Sequence, residues 1–204
     1  MLKDWKKIQA PEEQELEKRL RDAREVLAKK QIEIKERNLP VLVVLEGWNA
    51  AGKGSVLGKV IRNMDPRFFK VAVMDKITEE ELRKPFLYRY FIKIPEAGKF
   101  MFLDGSWMDE VTKGYLKGEL KEQEYKKRLQ SIKRFERQLT DNGYLLMKFF
   151  FQIDEKEQKK RLELLMNDKN TKWRVGEDDL WQNRNYKGCM ELYEEYLDDT
   201  NQGT

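Results

Sequence analysis

Short apolar runs alternate with amphipathic stretches along the chain. Residues 41–45, VLVVL, form the clearest run, and such consecutive valines and leucines predict a strand buried on both faces of a parallel sheet. Further runs predict three more strands, at residues 70–74, 100–103 and 144–151. Apolar residues at helical spacing predict helices before, between and after the strands, at residues 11–38, 56–64, 79–91 with an interruption near Pro85, 108–117, 122–139, 155–166 and 181–197.

This alternation predicts an α/β fold of three layers, in which helices cover both faces of a parallel sheet. A chain of 204 residues is long enough for one domain of this kind. Ligands of such folds bind at the carboxyl ends of the strands. We divide the domain into an N-terminal helical extension, a core, a polar segment and a C-terminal helix, at residues 1–38, 39–166, 167–185 and 186–204.

A glycine-rich loop follows the first predicted strand. Residues 47–55, GWNAAGKGS, fit the pattern G-x-x-x-x-G-K and precede a predicted helix. The glycines allow backbone N–H groups to converge on phosphate oxygens, Lys53 adds a positive charge, and the helix directs its positive end at the anion. We therefore predict a phosphate-binding loop (P-loop) formed by Gly47, Ala50, Ala51, Gly52, Lys53, Gly54 and Ser55.

The loop departs from its usual form at Gly54, where a serine or threonine commonly holds a magnesium ion. Ser55 comes one position later, so another oxygen ligand is needed. Asp104, at the end of the third predicted strand, is the candidate for this ligand. We therefore expect Mg²⁺ as the cofactor, with Asp104 as its protein ligand.

Composition excludes several other chemistries. The chain has no histidine and a single cysteine, Cys189, which excludes a serine–histidine–acid triad, histidine-ligated zinc and an internal disulfide. The longest apolar run, residues 39–45, is far shorter than the roughly 20 residues of a membrane-spanning helix. The N-terminus also lacks the apolar middle of a secretory signal. We therefore expect a cytoplasmic protein that does not bind membranes.

A series of motifs follows the P-loop in an order typical of one family. These motifs are MDPRFF, LYRYF, IPEAG, LDGSW, FERQLTDNG and KWRVGEDDLWQNRNY. Together they resemble the polyphosphate kinase 2 family across most of residues 12–200. The resemblance implies a P-loop nucleotide-kinase-like fold with a helical lid, and Mg²⁺-dependent phosphoryl transfer between inorganic polyphosphate and a nucleoside mono- or diphosphate, with adenine or another base. Such a sheet has a fifth strand, so we expect that this chain lacks its last strand and is a fragment.

The resemblance also assigns roles to single residues. It implies catalytic roles for Lys53, Asp104 and Arg89, and lid positions for Trp173, Asp179 and Arg184. Asn49, in contrast, stands where the family has a catalytic aspartate, and Gly105 where it has an arginine. An amide brings no negative charge to a metal ion and glycine brings no cation to a phosphoryl group, so we expect weakened catalysis. In this the chain resembles a degenerate N-terminal domain of two-domain polyphosphate:AMP phosphotransferases.

Basic residues are concentrated in two stretches, at residues 121–137 and 156–161. They suit either the solvated faces of helices or a track for a polyanion. In the polar segment, the candidates for polyphosphate binding are Lys169, Lys172, Arg174 and Arg184. The net charge of +4 comes without a nucleic-acid-reading motif, so nucleic acid is not an expected partner.

Two alternative functions are open at this point. One is a non-catalytic polyphosphate-binding or structural domain of a tandem phosphotransferase, which Asn49 and Gly105 favour. The other is an ordinary nucleoside monophosphate kinase, against which the long N-terminal helix and the later motifs argue. The expected protein partner is either a second copy, in a homo-oligomer, or a fused domain of the same kind.

Overall fold

The computed structural model of the chain describes residue 2 and residues 11–74 and 76–201. The outermost parts of the predicted N-terminal extension and C-terminal helix, residues 1, 3–10 and 202–204, lie outside the described residues. Four strands form one all-parallel sheet in the order β2-β3-β1-β4. Their bounds are β1 (Val41–Gly47), β2 (Phe69–Val73), β3 (Phe100–Asp104) and β4 (Leu145–Phe151). The four predicted strands are therefore confirmed.

Helices separate the strands, as predicted. The described residues contain α1 (Glu13–Glu36), α2 (Lys53–Val60), α3 (Glu79–Leu82), α4 (Tyr88–Phe91), α5 (Trp107–Leu116), α6 (Glu122–Asp141), α7 (Glu155–Asn167), α8 (Glu177–Arg184) and α9 (Tyr186–Thr200). The helix predicted at 79–91 is two single turns on either side of Pro85, because proline disfavours helical backbone before it, and the predicted interruption is therefore confirmed. One predicted helix is wrong in extent. The helix predicted at 181–197 is two helices that meet at Asn185.

The sheet is covered on both faces. All residues of β1 are buried. Leu42 and Val44 belong to a core that includes residues of α5, α6 and α9, whereas Val43 and Leu45 pack in a second core with Leu57 of α2. This arrangement confirms the three-layer architecture.

The strand register brings the predicted site residues to one edge of the sheet. Leu45 of β1 is the register partner of Asp104, and Gly47 is the register partner of Phe151. The start of the P-loop and the end of β3 therefore lie side by side. None of the helices in the described part of the chain is both long and apolar enough to cross a lipid bilayer.

Candidate active site

The loop between β1 and α2 turns sharply. Its backbone has positive φ angles at Gly47 (105°), Ala50 (58°) and Gly52 (98°), a conformation that glycine adopts most easily. A Cβ atom at Gly47 would lie only 2.5 Å from the carbonyl oxygen of Phe151 in β4. Close approach of two strands therefore requires the first glycine of the loop pattern.

Helix α2 begins at Lys53, and its first N–H groups have no acceptor within the helix. Lys53 Nζ donates to the carbonyl oxygens of Gly47 (3.1 Å) and Trp48 (3.0 Å), so this side chain folds over the loop. Burial lowers the pKa of Lys53, whereas the nearby carboxylates of Asp109 and Asp104 favour its charged form. The free helix terminus and the ammonium group together suit a phosphate.

A cleft opens over the loop and runs along the carboxyl ends of the strands. It has two adjoining parts of about 1030 and 960 Å³. Both parts are lined by Asn49, Lys53, Asp104, Arg174 and Asp179, among others. Because pockets for small molecules usually measure about 300–1,000 Å³, this cleft has room for a nucleotide-sized ligand.

Asp104 lies next to the loop at the end of β3. A Cβ atom at Gly54 would be 3.5 Å from Asp104 Oδ2, which shows how closely the carboxylate approaches α2. Burial raises the pKa of Asp104, and the charge of Lys53 opposes this shift. The absence of a side chain at Gly54 therefore leaves the carboxylate open to the cleft.

The donors at this corner of the cleft fit a magnesium ion that arrives with phosphate. Asp104 offers a carboxylate, and Asn49 and Ser55 line the same part of the cleft with an amide and a hydroxyl group. Over residues 11–74 and 76–201, no three histidine, cysteine, aspartate or glutamate side chains are grouped as metal ligands. Mg²⁺ commonly takes only one or two protein carboxylates and completes its shell with water and phosphate oxygens.

We call residues 167–185 the lid segment. Only some of the residues predicted to bind polyphosphate in this segment line the cleft. Arg174 lines both parts of the cleft beside Trp173 and Asp179. The other predicted cations are exposed and lie outside the cleft: Lys169, Lys172 and Arg184. The C-terminal half of this segment is helix α8, which begins at Glu177, before the predicted helix start at residue 181.

Arg89 lies where the second part of the cleft meets a smaller cavity of about 270 Å³. Its side chain is buried, with Nε 3.5 Å from Glu81 Oε1 and the guanidinium 5.8 Å from the centre of the Tyr90 ring. The position predicted for a catalytic arginine therefore holds a buried cation that lines the cleft.

A group of polar side chains behind the loop was missed by the sequence analysis. Gln182 Oε1 accepts from the backbone N of Asn49 (2.8 Å), and Gln158 Nε2 donates to the carbonyl oxygen of Asn49 (3.2 Å). Arg161 Nη1 donates to two further loop carbonyls, at 3.2 and 3.3 Å. Glutamine in a helix is usually exposed, so only the fold reveals these contacts.

The basic stretch at residues 121–137 forms ion pairs on the surface of α6. Lys126 pairs with Glu122 at the preceding turn, and Lys133 Nζ lies 2.8 Å from Asp199 Oδ1 of α9. These pairs favour the interpretation as a solvated helix face. Trp48 and Trp107 lie in the hydrophobic core.

Comparison with known proteins assigns this geometry to a family. The family model described as polyphosphate kinase 2 matches residues 10–204. The chain belongs to the polyphosphate kinase 2 family. The resemblance drawn from the motifs is therefore confirmed.

Curated relatives of this polyphosphate kinase 2 chain include two polyphosphate:AMP phosphotransferases. Those of Pseudomonas syringae pv. tomato and Pseudomonas aeruginosa are each 31% identical, over 85% and 89% of this chain. The chain spans only 35% and 37% of their lengths. The AMP/ADP-polyphosphate phosphotransferase of Meiothermus ruber is 31% identical over 78% of this chain and 60% of its own length.

Solved structures share the fold. Polyphosphate kinase 2 from Arthrobacter aurescens TC1 superposes with a TM-score of 0.85 at 27% identity, over 90% of this chain and 67% of that one. A chain from Pseudomonas aeruginosa PA01 superposes with a TM-score of 0.93 at 24% identity, over 99% of this chain and 43% of that one. The predicted P-loop kinase-like α/β fold is confirmed.

Proposed function

We propose that this chain transfers phosphoryl groups between inorganic polyphosphate and a nucleoside mono- or diphosphate, with Mg²⁺. The proximity of Lys53 and Asp104 in the cleft over the P-loop carries this proposal. Relatives named for polyphosphate together with AMP or ADP support the two substrate classes. Direct transfer suits the site, because a chain without histidine forms no phosphohistidine intermediate.

Each charged group in the cleft has a separate part in the proposed reaction. The N–H groups at the start of α2 and the ammonium group of Lys53 bind and orient the phosphates. Arg174, which lines both parts of the cleft, and Arg89, which lines the second part, supply cations for the second polyanion. Phosphoryl transfer depends mainly on such positioning and charge neutralisation.

Asp104 would hold the magnesium ion, and Asn49 and Ser55, which line the same part of the cleft, would offer neutral oxygens. A bound Mg²⁺ neutralises charge on the phosphate oxygens during transfer. The negative charge of Asp104 requires that the carboxyl group be ionised, and Lys53 favours this state against the effect of burial.

We further propose that Asn49 and Gly105 lower the rate of this domain without abolishing phosphate binding. The loop glycines and Lys53 are present, so binding should survive changes that affect catalysis. The non-catalytic alternative has less support, since the curated relatives are named as enzymes. A homo-oligomeric or fused partner stays a prediction.

A transfer assay tests the proposed function. The chain is incubated with polyphosphate, Mg²⁺ and one nucleotide at a time, namely AMP, ADP or GDP, and the products are separated by chromatography. We expect a phosphorylated nucleotide whose formation is lost when Mg²⁺ is chelated. The same assay with Lys53→Met should show no product above background.

The control separates an enzyme from a binding domain. Product formation that is equal in the parent chain and in Lys53→Met would contradict the role of the P-loop. If the parent chain binds polyphosphate but forms no product with any nucleotide, the non-catalytic alternative replaces the proposal.

A further inference from the structure

A polar cluster behind the P-loop, formed by Gln158, Gln182, Asn183 and Tyr193, connects the loop to α8. Gln182 Oε1 accepts hydrogen bonds from the backbone N of Asn49 and from Gln158 Nε2, both at 2.8 Å. Gln182 Nε2 donates to the hydroxyl oxygen of Tyr193 at 2.7 Å. Both polar atoms of the Gln182 side chain thus have partners.

Burial fixes this arrangement. Gln158, Gln182 and Tyr193 are all 0% exposed. Because a buried amide loses free energy when its hydrogen bonds are unmade, other rotamers of Gln182 are strongly disfavoured. Gln158 Nε2 also donates to the carbonyl oxygen of Asn49, so both backbone polar groups of Asn49 are held from behind the loop.

The same segment of chain reaches into the cleft. Arg174 and Asp179, which lie shortly before Gln182, line both parts of the cleft. Any displacement of α8 would therefore move the acceptor of the Asn49 N–H together with Asp179, which lies on the same helix. The contact between Gln182 and Asn49 joins parts of the chain that are 133 residues apart.

We propose that Gln182 is a positioning residue that couples the lid segment to the P-loop. It engages the Asn49 N–H, so that this group does not face the anion. When α8 lies against the loop, Gln182 thereby aligns the remaining N–H groups at the start of α2 with the substrate phosphates. The proposal rests on the proposed function, because it assigns to Gln182 a part in binding phosphate at that site.

Two variants of α8 make a matched pair for the test. Gln182→Met has a similar volume but removes the acceptor of the Asn49 N–H. Asn183→Ala removes the side-chain donor to Glu155 O (3.2 Å) and Gln158 Oε1 (3.0 Å) on α7, whereas the loop hydrogen bond of α8 comes from Gln182. The two variants therefore disturb the same cluster, and only the first acts directly on the loop.

Two measurements are made on the full chain: amide hydrogen exchange of residues 48–52 without ligand, and calorimetric affinity for inorganic tripolyphosphate. For Gln182→Met we expect about tenfold faster loop exchange and about tenfold weaker binding, the effect of one lost hydrogen bond. Asn183→Ala, which acts on the loop only through Gln158, should change both quantities much less than Gln182→Met does. Gln182→Glu, which keeps an acceptor oxygen, should restore slow exchange.

Parent-like exchange in Gln182→Met, or equal acceleration in Asn183→Ala, would overturn the coupling. If Gln182→Met does not fold, Gln182→Ser takes its place, because its short side chain does not reach the Asn49 N–H, and parent-like loop exchange in this variant overturns the proposal. A parent chain that does not bind tripolyphosphate contradicts the proposed function, and the exchange comparison then still decides the role of Gln182.

Discussion

Asn49 and Gly105, the two departures from the family pattern, lie in different structural settings. Asn49 lines the cleft with Lys53 and Asp104, and an aspartate of the same shape fits there. Gly105 has a φ angle of 91°, and a Cβ atom there would lie 3.3 Å from the Cβ atom of Met74. An arginine at position 105 would therefore need a different backbone path between β3 and α5.

Restoring the carboxylate at position 49 should raise activity. Asn49→Asp places a second negative charge beside Asp104, where it favours a divalent cation, and we expect the rate of phosphoryl transfer to increase about 10- to 100-fold. The measurement is kcat at saturating Mg²⁺, with Asn49→Ala as the control that only removes the amide. An aspartate variant no faster than the parent chain would show that position 49 does not limit the rate.

Gly105→Ala should lower the free energy of unfolding by about 1–3 kcal/mol, because it adds a close contact to an unfavourable φ angle. Gly118→Ala is the matched control, since Gly118 has a φ angle of 75° and open space around its Cβ position. This control should lower the free energy of unfolding by only about 1 kcal/mol, because it places a Cβ atom at an unfavourable φ angle but adds no close contact. Urea denaturation measures the free energy of unfolding of both variants. Equal losses in the two would contradict a steric constraint imposed by Met74.

Glu46, the residue before the loop, is fully buried. Its Oε1 accepts from Ser106 Oγ (2.6 Å) and the Tyr196 hydroxyl (2.9 Å), while Oε2 has no hydrogen-bond partner among the described residues. Burial raises the pKa of Glu46 to about 7, against the opposing charge of Lys148; Glu136 raises it further. The folded state therefore holds a proton that the unfolded state releases near pH 4.5.

This shift makes stability depend on pH. Between about pH 4.5 and pH 7 the folded state binds the proton more tightly, so the contribution of Glu46 to stability is lost as the pH rises through this window. The free energy of unfolding should fall by about 2–3 kcal/mol from this group. Glu46→Gln, which keeps the acceptor for Ser106 and Tyr196, should reduce the decline by that amount. Parallel stability profiles for the two proteins would contradict the raised pKa.

At the scale of elements, α8 and the residues before it line one side of the cleft. Residues 172–174 are exposed, and Trp173 is 75% exposed, whereas Gln182 at the other end is buried. The segment thus has a solvated part that reaches the cleft and an anchored part behind the loop. Arg174, in the solvated part, places a positive charge where an anion in the cleft would bind.

Polyphosphate should protect the solvated part of the lid segment. On addition of saturating polyphosphate we expect amide exchange of residues 169–176 to slow, because Arg174 gains a charged partner and water is excluded. Residues 182–185, which are already anchored, should change little. Exchange that is unchanged over residues 169–176 would count against a lid role.

Helix α1 illustrates what periodicity does and does not reveal. The helix is confirmed, but two of its apolar residues, Val26 and Ile32, are 56% and 58% exposed. The buried residue is Gln31, which exchanges hydrogen bonds with the backbone N and O of Asp65 at 2.8 and 3.1 Å. Spacing identifies a helix, but the side that packs depends on its neighbours in space.

For the whole molecule, the sequence predicts those features that are determined by residues adjacent in the chain. Consecutive apolar residues predicted all four strands, and the glycine pattern predicted the loop, because both depend on neighbouring residues. Strand order and the contact between Glu46 and Tyr196, 150 residues apart, depend on tertiary packing that carries no local signal. The site was therefore predictable at the loop and at Asp104, and unpredictable at Gln158 and Gln182.

The affinity of the chain for tripolyphosphate in the presence of Mg²⁺ tests most directly whether the P-loop is the functional centre. Three proteins are compared by calorimetry: the parent chain, Lys53→Met, and Lys59→Met, which removes the same charge from the exposed end of α2. We expect Lys53→Met to bind about 10- to 100-fold more weakly, since a charged hydrogen-bond donor is lost, and Lys59→Met to bind like the parent. Equal affinities in all three proteins would contradict the account.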